Sequence, residues 1–271
     1  MALLEVKNLD ISYGDRKTVA DVSLELEQGE VLSIVGESGS GKTTVIRSIM
    51  GCLPGNGRVS GGSIHFEGRD LLANTPDEWR QMCGTAMSMI FQDSGNMINP
   101  IRRIGAQFVD YIRVHAPDKS RGEARELAEK MLASVSLPNV KTIMNNYPFE
   151  LSGGMRQRVG IAMAMTFSPK LLLADEPTSA LDGTTQAQII KQIMDVREHY
   201  NAAVIIVTHN LGVASYMSDK IMVMRNGHVT ESGSQDQVIS APQDEYTKTL
   251  LAAVPVMGAT PYYEEGPEHV A

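Results

Sequence analysis

The sequence predicts an α/β fold, and three observations carry that prediction. Val31-Leu32-Ser33-Ile34-Val35 and Leu171-Leu172-Leu173-Ala174 are short apolar runs that read as buried strands. The segments ahead of the first run alternate apolar and polar residues, the period of a strand with one face in water. Between the two runs, Arg121 to Ser136 places Ala124, Leu127, Ala128, Met131, Leu132 and Val135 at helical spacing, with acids and bases opposite.

Taken in order, Leu4 to Tyr13 and Val19 to Leu26 alternate as strands, with Gly14-Asp15 as the turn between them. Gln28-Gly29-Glu30 turns into the Val31–Val35 strand, and Thr44 to Met50 reads as the helix that follows. Gly51 to Gly62 is rich in Gly, Pro, Asn and Ser and predicts a loop, and Ser63 to Gly68 a short strand ending in a turn. The opening third is therefore an antiparallel β layer laid on a core. From Ile101 the texture becomes helical, which predicts a helical lobe inserted into that core. Residues 256–271 are acidic and poor in apolar side chains, and are expected to form a mobile tail.

A chain of 271 residues is long enough for such a core plus a smaller lobe. No apolar run approaches the ~18–20 residues that span a bilayer. Met1 to Lys7 has an early acid and no basic flank, so a secretory signal is not expected. The formal charge of −8 argues against nucleic acid as a partner. Cys52 and Cys83 have no metal-ligand spacing and are expected as reduced, buried small residues. Met155, Met163 and Met165 fall in one predicted helix and read as core filler.

Three motifs carry chemistry. Gly36-Glu37-Ser38-Gly39-Ser40-Gly41-Lys42-Thr43 matches G-x-x-x-x-G-K-[ST], in the strand–loop–helix context the pattern requires. Its glycines let successive N–H groups point into one concavity at a helix N-terminus, an anion nest for a nucleoside triphosphate. Lys42 would reach the β- and γ-phosphates, and the Thr43 hydroxyl would bind Mg²⁺. Second, the apolar strand from Leu171 ends in Asp175-Glu176, at the carboxyl edge where nucleotide chemistry occurs in open α/β sheets. Asp175 is the candidate Mg²⁺ holder and Glu176 the general base for an attacking water. Third, Leu151-Ser152-Gly153-Gly154 opens a helix predicted over Val159 to Phe167, and Ser152 with the free N–H groups behind it can hold an anion.

These motifs, followed by Thr208-His209, stand in the order of an ABC-transporter ATPase subunit, which the chain resembles from about Leu4 to Pro255. The Leu-Ser-Gly-Gly run is that family's own signature. The resemblance implies a P-loop (RecA-like) ATPase core with an N-terminal antiparallel β layer and an inserted α-helical subdomain. The expected organisation is an ATPase domain over residues 1–255, with the helical subdomain at approximately 93–160, and the tail at 256–271. The loop positions Gly36, Ser38, Gly39, Ser40, Gly41, Lys42, Thr43 and Thr44 would hold the nucleotide. Tyr13 looks like the aromatic that stacks on adenine. Gln92 resembles the glutamine that contacts Mg²⁺ and the attacking water. Ser179-Ala180-Leu181-Asp182 resembles the loop crossing a dimer interface, and His209, after the apolar strand Ala203 to Val207, the switch histidine that senses the γ-phosphate. In this family two subunits meet head to tail, so Ser152, Gly153 and Gly154 of one would close over ATP held by the other.

Within the family, three segments resemble the oligopeptide, dipeptide and nickel uptake group. They are Phe91 to Pro100, Tyr147 to Arg158, and Ala241 to Leu251 with its P-x-x-x-Y-T-x-x-L-L pattern. Ser94-Gly95-Asn96 and Gly183-Thr184-Thr185 depart from the group's usual residues. No cysteine follows Cys83, so the iron–sulfur cluster of some peptide-transport members is not expected. Within an importer for peptides or nickel (free or chelated), the resemblance therefore leans toward the shorter members, which include nickel or metal–chelate importers. The implied partners are a second, similar ATPase subunit, two transmembrane permease subunits and an extracytoplasmic binding protein. The implied place is the cytoplasmic face of the cell membrane, as a peripheral protein. The alternative is the ATPase component of a soluble multi-enzyme assembly such as carbon–phosphorus lyase. Repair or translation-factor relatives are disfavoured by a single cassette and an acidic balance.

Overall fold

The structure is a computed structural model that describes residues 2–92, 97–179 and 183–253, with only the backbone described at Val196. Expectations resting on Asp93 to Asn96, on Ala180, Leu181 and Asp182, and on residues 254–271 lie outside the described residues.

Strands β1 (Leu4–Tyr13) and β2 (Arg16–Leu26) form a hairpin around Gly14 and Asp15. With β4 (Gly57–Phe66) and β5 (Arg69–Asp70) they make an antiparallel sheet in the order β2-β1-β4-β5. The start of β4 departs from the sequence reading, which places a loop as far as Gly62. Tyr13, Ser12 and Ile11 of β1 pair with Gly57, Arg58 and Val59, and this pairing extends a segment with little strand preference of its own. The glycines there serve close approach: at Gly62, φ +84°, a Cβ would lie 2.4 Å from the Lys7 and Asn8 carbonyl oxygens.

The second sheet runs β10-β9-β3-β8-β7-β6 and holds the core of the molecule. Its members are β3 (Val31–Val35), β6 (Met87–Ile90), β7 (Leu171–Asp175), β8 (Ala203–Thr208), β9 (Lys220–Arg225) and β10 (His228–Ser234). All but β10 are parallel to their neighbours. Every residue of β3, β7 and β8 is buried, which is why these strands read as unbroken apolar runs. The register pairs Val35 with Thr208, Val207 with Asp175, and Ala174 with Ile90. Gly36, Glu176, His209 and Gln92 consequently leave the sheet along one carboxyl edge.

Helix α1 (Lys42–Ile49) buries Val45, Ile46 and Ile49 between the two sheets, against Leu9, Ile11, Leu173 and Ile205. It begins two residues ahead of the expected start, because Gly41 caps it in the left-handed conformation. Helix α2 (Pro76–Met82) follows a Thr75–Glu78 capping box. Between β6 and β7 come α3 (Ile104–His115), α4 (Arg121–Ser134), α5 (Val140–Asn145) and α6 (Gly153–Met165). Phe108, Ile112, Ala128, Leu132 and Val159 from these helices pack with Leu172, Val204 and Ile206 on the sheet's other face. Helix α6 starts at Gly153 rather than near Val159, since Ser152 accepts from the Met155 N–H and caps it there. Four more helices complete the described chain: α7 (Gly183–Tyr200), α8 (Leu211–Met217), α9 (Gln235–Ser240) and α10 (Glu245–Ala252).

Cys83 is half-buried, but Cys52 is exposed, contrary to the expectation of a small core residue. It follows the turn that ends α1, where the chain comes back out to solvent. Among the described residues no helix is long and apolar enough to cross a membrane.

Candidate active site

The phosphate loop joins the end of β3 to the start of α1. Gly36 sits at φ +148°, and a Cβ there would lie 2.1 Å from the carbonyl oxygen of Met224 at the end of β9. No other residue fits that approach. Lys42 is buried, and its Nζ donates to the carbonyl oxygens of Gly36 and Glu37 at 2.7 Å each. Burial pulls the ammonium pKa down, while Glu176, Asp175 and Glu37 push it up. Around the lysine opens a cleft of about 700 Å³. It is lined by Glu37, Ser38, Gly39, Gly41, Thr43 and Thr44 of the loop, by Gln92, Glu176 and His209 at the strand ends, and by Thr18.

Asp175 closes the floor. The Thr43 hydroxyl donates to its Oδ1 at 2.7 Å. Its Oδ2 is buried and accepts no hydrogen bond, the cation drawn nearest being Arg47 at 3.9 Å. Burial raises the carboxyl pKa, and Thr43 and Arg47 oppose that rise. A hydroxyl beside a carboxylate with one vacant buried oxygen is a hard-oxygen donor set that fits a divalent cation.

At the mouth, two side chains from neighbouring strand ends converge on one carboxylate oxygen. Oε2 of Glu176 lies 3.3 Å from Nε2 of Gln92 and 3.3 Å from Nδ1 of His209. Glu176 holds the left-handed backbone conformation, φ +42°, while its N–H continues the sheet ladder to the Val207 carbonyl at 2.9 Å. Strain of this kind in a non-glycine residue costs roughly 1–2 kcal/mol. Here it turns the carboxylate toward the phosphate loop rather than along the strand.

The sequence-predicted residues Gly36 to Thr44, Gln92, Asp175, Glu176 and His209 are thus brought together. Tyr13 is not among the cleft residues: its ring packs on Gly57, where an added Cβ would be 2.7 Å away. Ser152, Gly153 and Gly154 also lie outside the cleft, Ser152 and Gly153 being exposed at the start of α6. Asp182 lies outside the described residues. Three contributors escaped the sequence reading. Thr18 lines the cleft, Arg47 is the cation nearest Asp175, and buried Gln157 donates from α6 to the Pro177 carbonyl at 3.1 Å. Gln157 joins the Ser-Gly-Gly segment to the loop that carries Glu176. Only its place one turn beyond Gly153 hinted at a role.

A phosphate loop on the carboxyl edge of a parallel sheet, faced by a cation-seeking acid and a second aimed carboxylate, defines a P-loop ATPase. The family model described as ABC transporter matches residues 19–179. The oligopeptide transport ATP-binding protein OppD of Escherichia coli is 43% identical over 262 residues, 95% of this chain and 77% of that protein. The dipeptide transport ATP-binding protein DppD of Lactococcus lactis is 38% identical over 95% of this chain and 75% of its own length. A dimeric post-hydrolysis structure of an ATP-binding cassette bound to ADP and Pi superposes with a TM-score of 0.76 at 27% identity. It covers 86% of this chain and 98% of its own. The chain belongs to the ABC transporter family and is an ATPase of that family.

Proposed function

We propose that this chain is the ATP-hydrolysing subunit of a peptide importer, a peripheral protein on the cytoplasmic face of a membrane. The single observation that supports it most is the convergence of Gln92 and His209 on Glu176 across the cleft from Lys42. Lys42 and the loop N–H groups hold the β- and γ-phosphates of ATP. Gln92 and His209 orient a water beside Glu176, and Glu176 accepts its proton as the water attacks the γ-phosphorus. Thr43 and Asp175, with Gln92 opposite, are the residues that would hold Mg²⁺, which neutralises charge on the phosphate oxygens when bound. Peptide is favoured over nickel as cargo, because the relatives named above are oligopeptide and dipeptide transport proteins.

Ser152 and Gly153 are exposed and, with half-buried Gly154, lie outside the chain's own cleft, which suits a head-to-tail pairing with a second ATPase subunit. Each site is then completed by the other chain, with Asp182 at the crossing and Tyr13 on the adenine. Residues of approximately 93–160 act as the helical subdomain that carries this segment. An apolar groove of about 270 Å³ beside Gln92, lined by Met50, Met89, Phe91, Met97, Ile98 and Met163, suits a helix of a transmembrane permease. Two such permeases and an extracytoplasmic binding protein complete the system. ATP, by favouring the closed pair, supplies the differential affinity that moves the permeases.

The decisive experiment measures turnover and ATP binding in the assembled complex. Glu176→Gln is expected to keep ATP binding and lose at least ~100-fold in turnover, within the range of removing a general base. Turnover at the wild-type level rejects the base assignment. Co-purification with soluble enzymes in place of membrane permeases rejects the importer.

A further inference from the structure

We infer that Tyr246 is a positioning residue for the phosphate loop: its hydroxyl holds the peptide unit between Gly36 and Glu37, and through it the ammonium of Lys42. The inference rests on the ATP-site reading above.

That peptide unit is gripped at both ends. Its carbonyl, from Gly36, accepts from Nζ of Lys42 at 2.7 Å, and its N–H, from Glu37, donates to the Tyr246 hydroxyl at 3.1 Å. A peptide bond is planar, so the two ends turn together. Gly36 is the permissive residue on one side of the plane, so without a partner for the N–H the unit can rotate at small cost. Rotation would swing the Gly36 carbonyl away from Lys42 and release one of the two short bonds that aim the ammonium. The hydroxyl of a residue 209 positions away prevents it.

Tyr246 is itself tightly seated. Its side chain is buried with Val35, Leu211, Ile221 and Val223, and the Arg225 guanidinium lies over the ring at 4.7 Å. Asp244 caps α10, accepting from the N–H groups of Tyr246 at 2.9 Å and Thr247 at 3.3 Å. Glu231 of β10 in turn accepts from the N–H groups of Gln243 and Asp244 at 2.7 and 3.2 Å. The β9–β10 turn adds a second attachment, the Gly227 N–H donating to the Ser40 carbonyl at 3.0 Å. The Ala241–Leu251 segment, which the nucleotide chemistry leaves unused, therefore preorganises the anion nest from outside the cleft.

The effect should fall on binding rather than on turnover, because bound phosphates order the loop once they are in place. In the full-length chain, Tyr246→Phe keeps the ring and its stacking and removes only the acceptor. Its affinity for a fluorescent ATP analogue should drop about five- to tenfold, as loss of one hydrogen bond predicts. The KM of ATPase should rise in parallel, with kcat within about twofold and the nucleotide-free melting temperature within ~2 °C. Leu250→Ala is the contrast, since it trims the apolar seat of α10 and spares the hydroxyl. It should lower the melting temperature and leave affinity within about twofold. Wild-type affinity in Tyr246→Phe overturns the inference. So does a loss of affinity that tracks lost melting temperature equally in both variants. Lys42→Ala reports separately on the site itself: wild-type ATP binding in that variant overturns the site reading and the inference with it.

Discussion

The Thr43 hydroxyl donates a 2.7 Å hydrogen bond to Oδ1 of Asp175, and the other oxygen of that buried carboxylate accepts none. This contact ties the first turn of α1 to the last residue of β7. Without a cation it is an unfavourable place for a charge, and the chain tolerates it where phosphates are to be bound. Stability is exchanged for a waiting donor set.

Asp175→Asn should therefore stabilise the nucleotide-free, magnesium-free protein at pH 7, on the order of 2 °C in melting temperature. The sign follows from the raised pKa of Asp175 in the folded chain. A raised carboxyl contributes no penalty below its unfolded value of 3.8, where it is protonated in both states. The penalty grows as pH rises from there through the folded pKa. The gap between variant and wild type should then close toward pH 3.5 and be widest near neutrality, as read by melting scans across pH. Magnesium with ATP should reverse the order, stabilising wild type and not the variant.

His209→Ala should reduce turnover at least ~10-fold while changing ATP affinity less than about threefold. The reason is geometric: its Nδ1 lies 3.3 Å from the Glu176 oxygen, at the reacting end of the cleft and away from the loop N–H groups. ATPase rates and equilibrium nucleotide titration, run on the same preparation, separate the two effects. A large loss of affinity with unchanged turnover would contradict the assignment.

Gly36→Ala and Gly39→Ala make a paired test of the loop. At Gly36 the new Cβ would meet a backbone oxygen 2.1 Å away that cannot move aside, so a loss of about 3 kcal/mol or more is expected. At Gly39 nothing lies within 4 Å, and only the left-handed backbone at φ +82° resists, at a cost of about 1 kcal/mol. Urea unfolding of the nucleotide-free chain measures both.

Strands β3, β7 and β8 are legible in the sequence because burial on both faces leaves them no reason to alternate. Asp175 and Glu176 are legible because two acids end such a run. The early part of β4 is illegible, since its glycines suit a close approach to β1 that only pairing creates. Thr18 and Arg47 carry no signal of their own, as any threonine or arginine could stand there until the fold brings the one to the cleft and the other, on α1, beside Asp175. The bond from Glu37 to Tyr246 is further still from view, because its partners stand 209 positions apart.

Gly153 and Gly154 separate what the fold needs from what a partner needs. A Cβ on Gly154 would sit 2.9 Å from Cγ2 of Thr185 on α7, whereas a Cβ on Gly153 meets nothing within 4 Å. Glycine in a helix is worse than alanine by roughly 0.5–1 kcal/mol, so the chain alone has no use for it at Gly153. An acid in the first turn is favoured by the helix dipole by about 0.3–1 kcal/mol, so Gly153→Asp should melt at or above the wild-type temperature. ATP binding to the isolated chain should be unchanged, since Gly153 is outside its own cleft. In a head-to-tail pair the same carboxylate would face the other subunit's γ-phosphate, and turnover should fall at least ~50-fold, a loss in the range seen for removed transition-state donors. Full turnover in a well-folded Gly153→Asp would mean that the Ser-Gly-Gly segment closes on no nucleotide, and the two-subunit site would have to be abandoned.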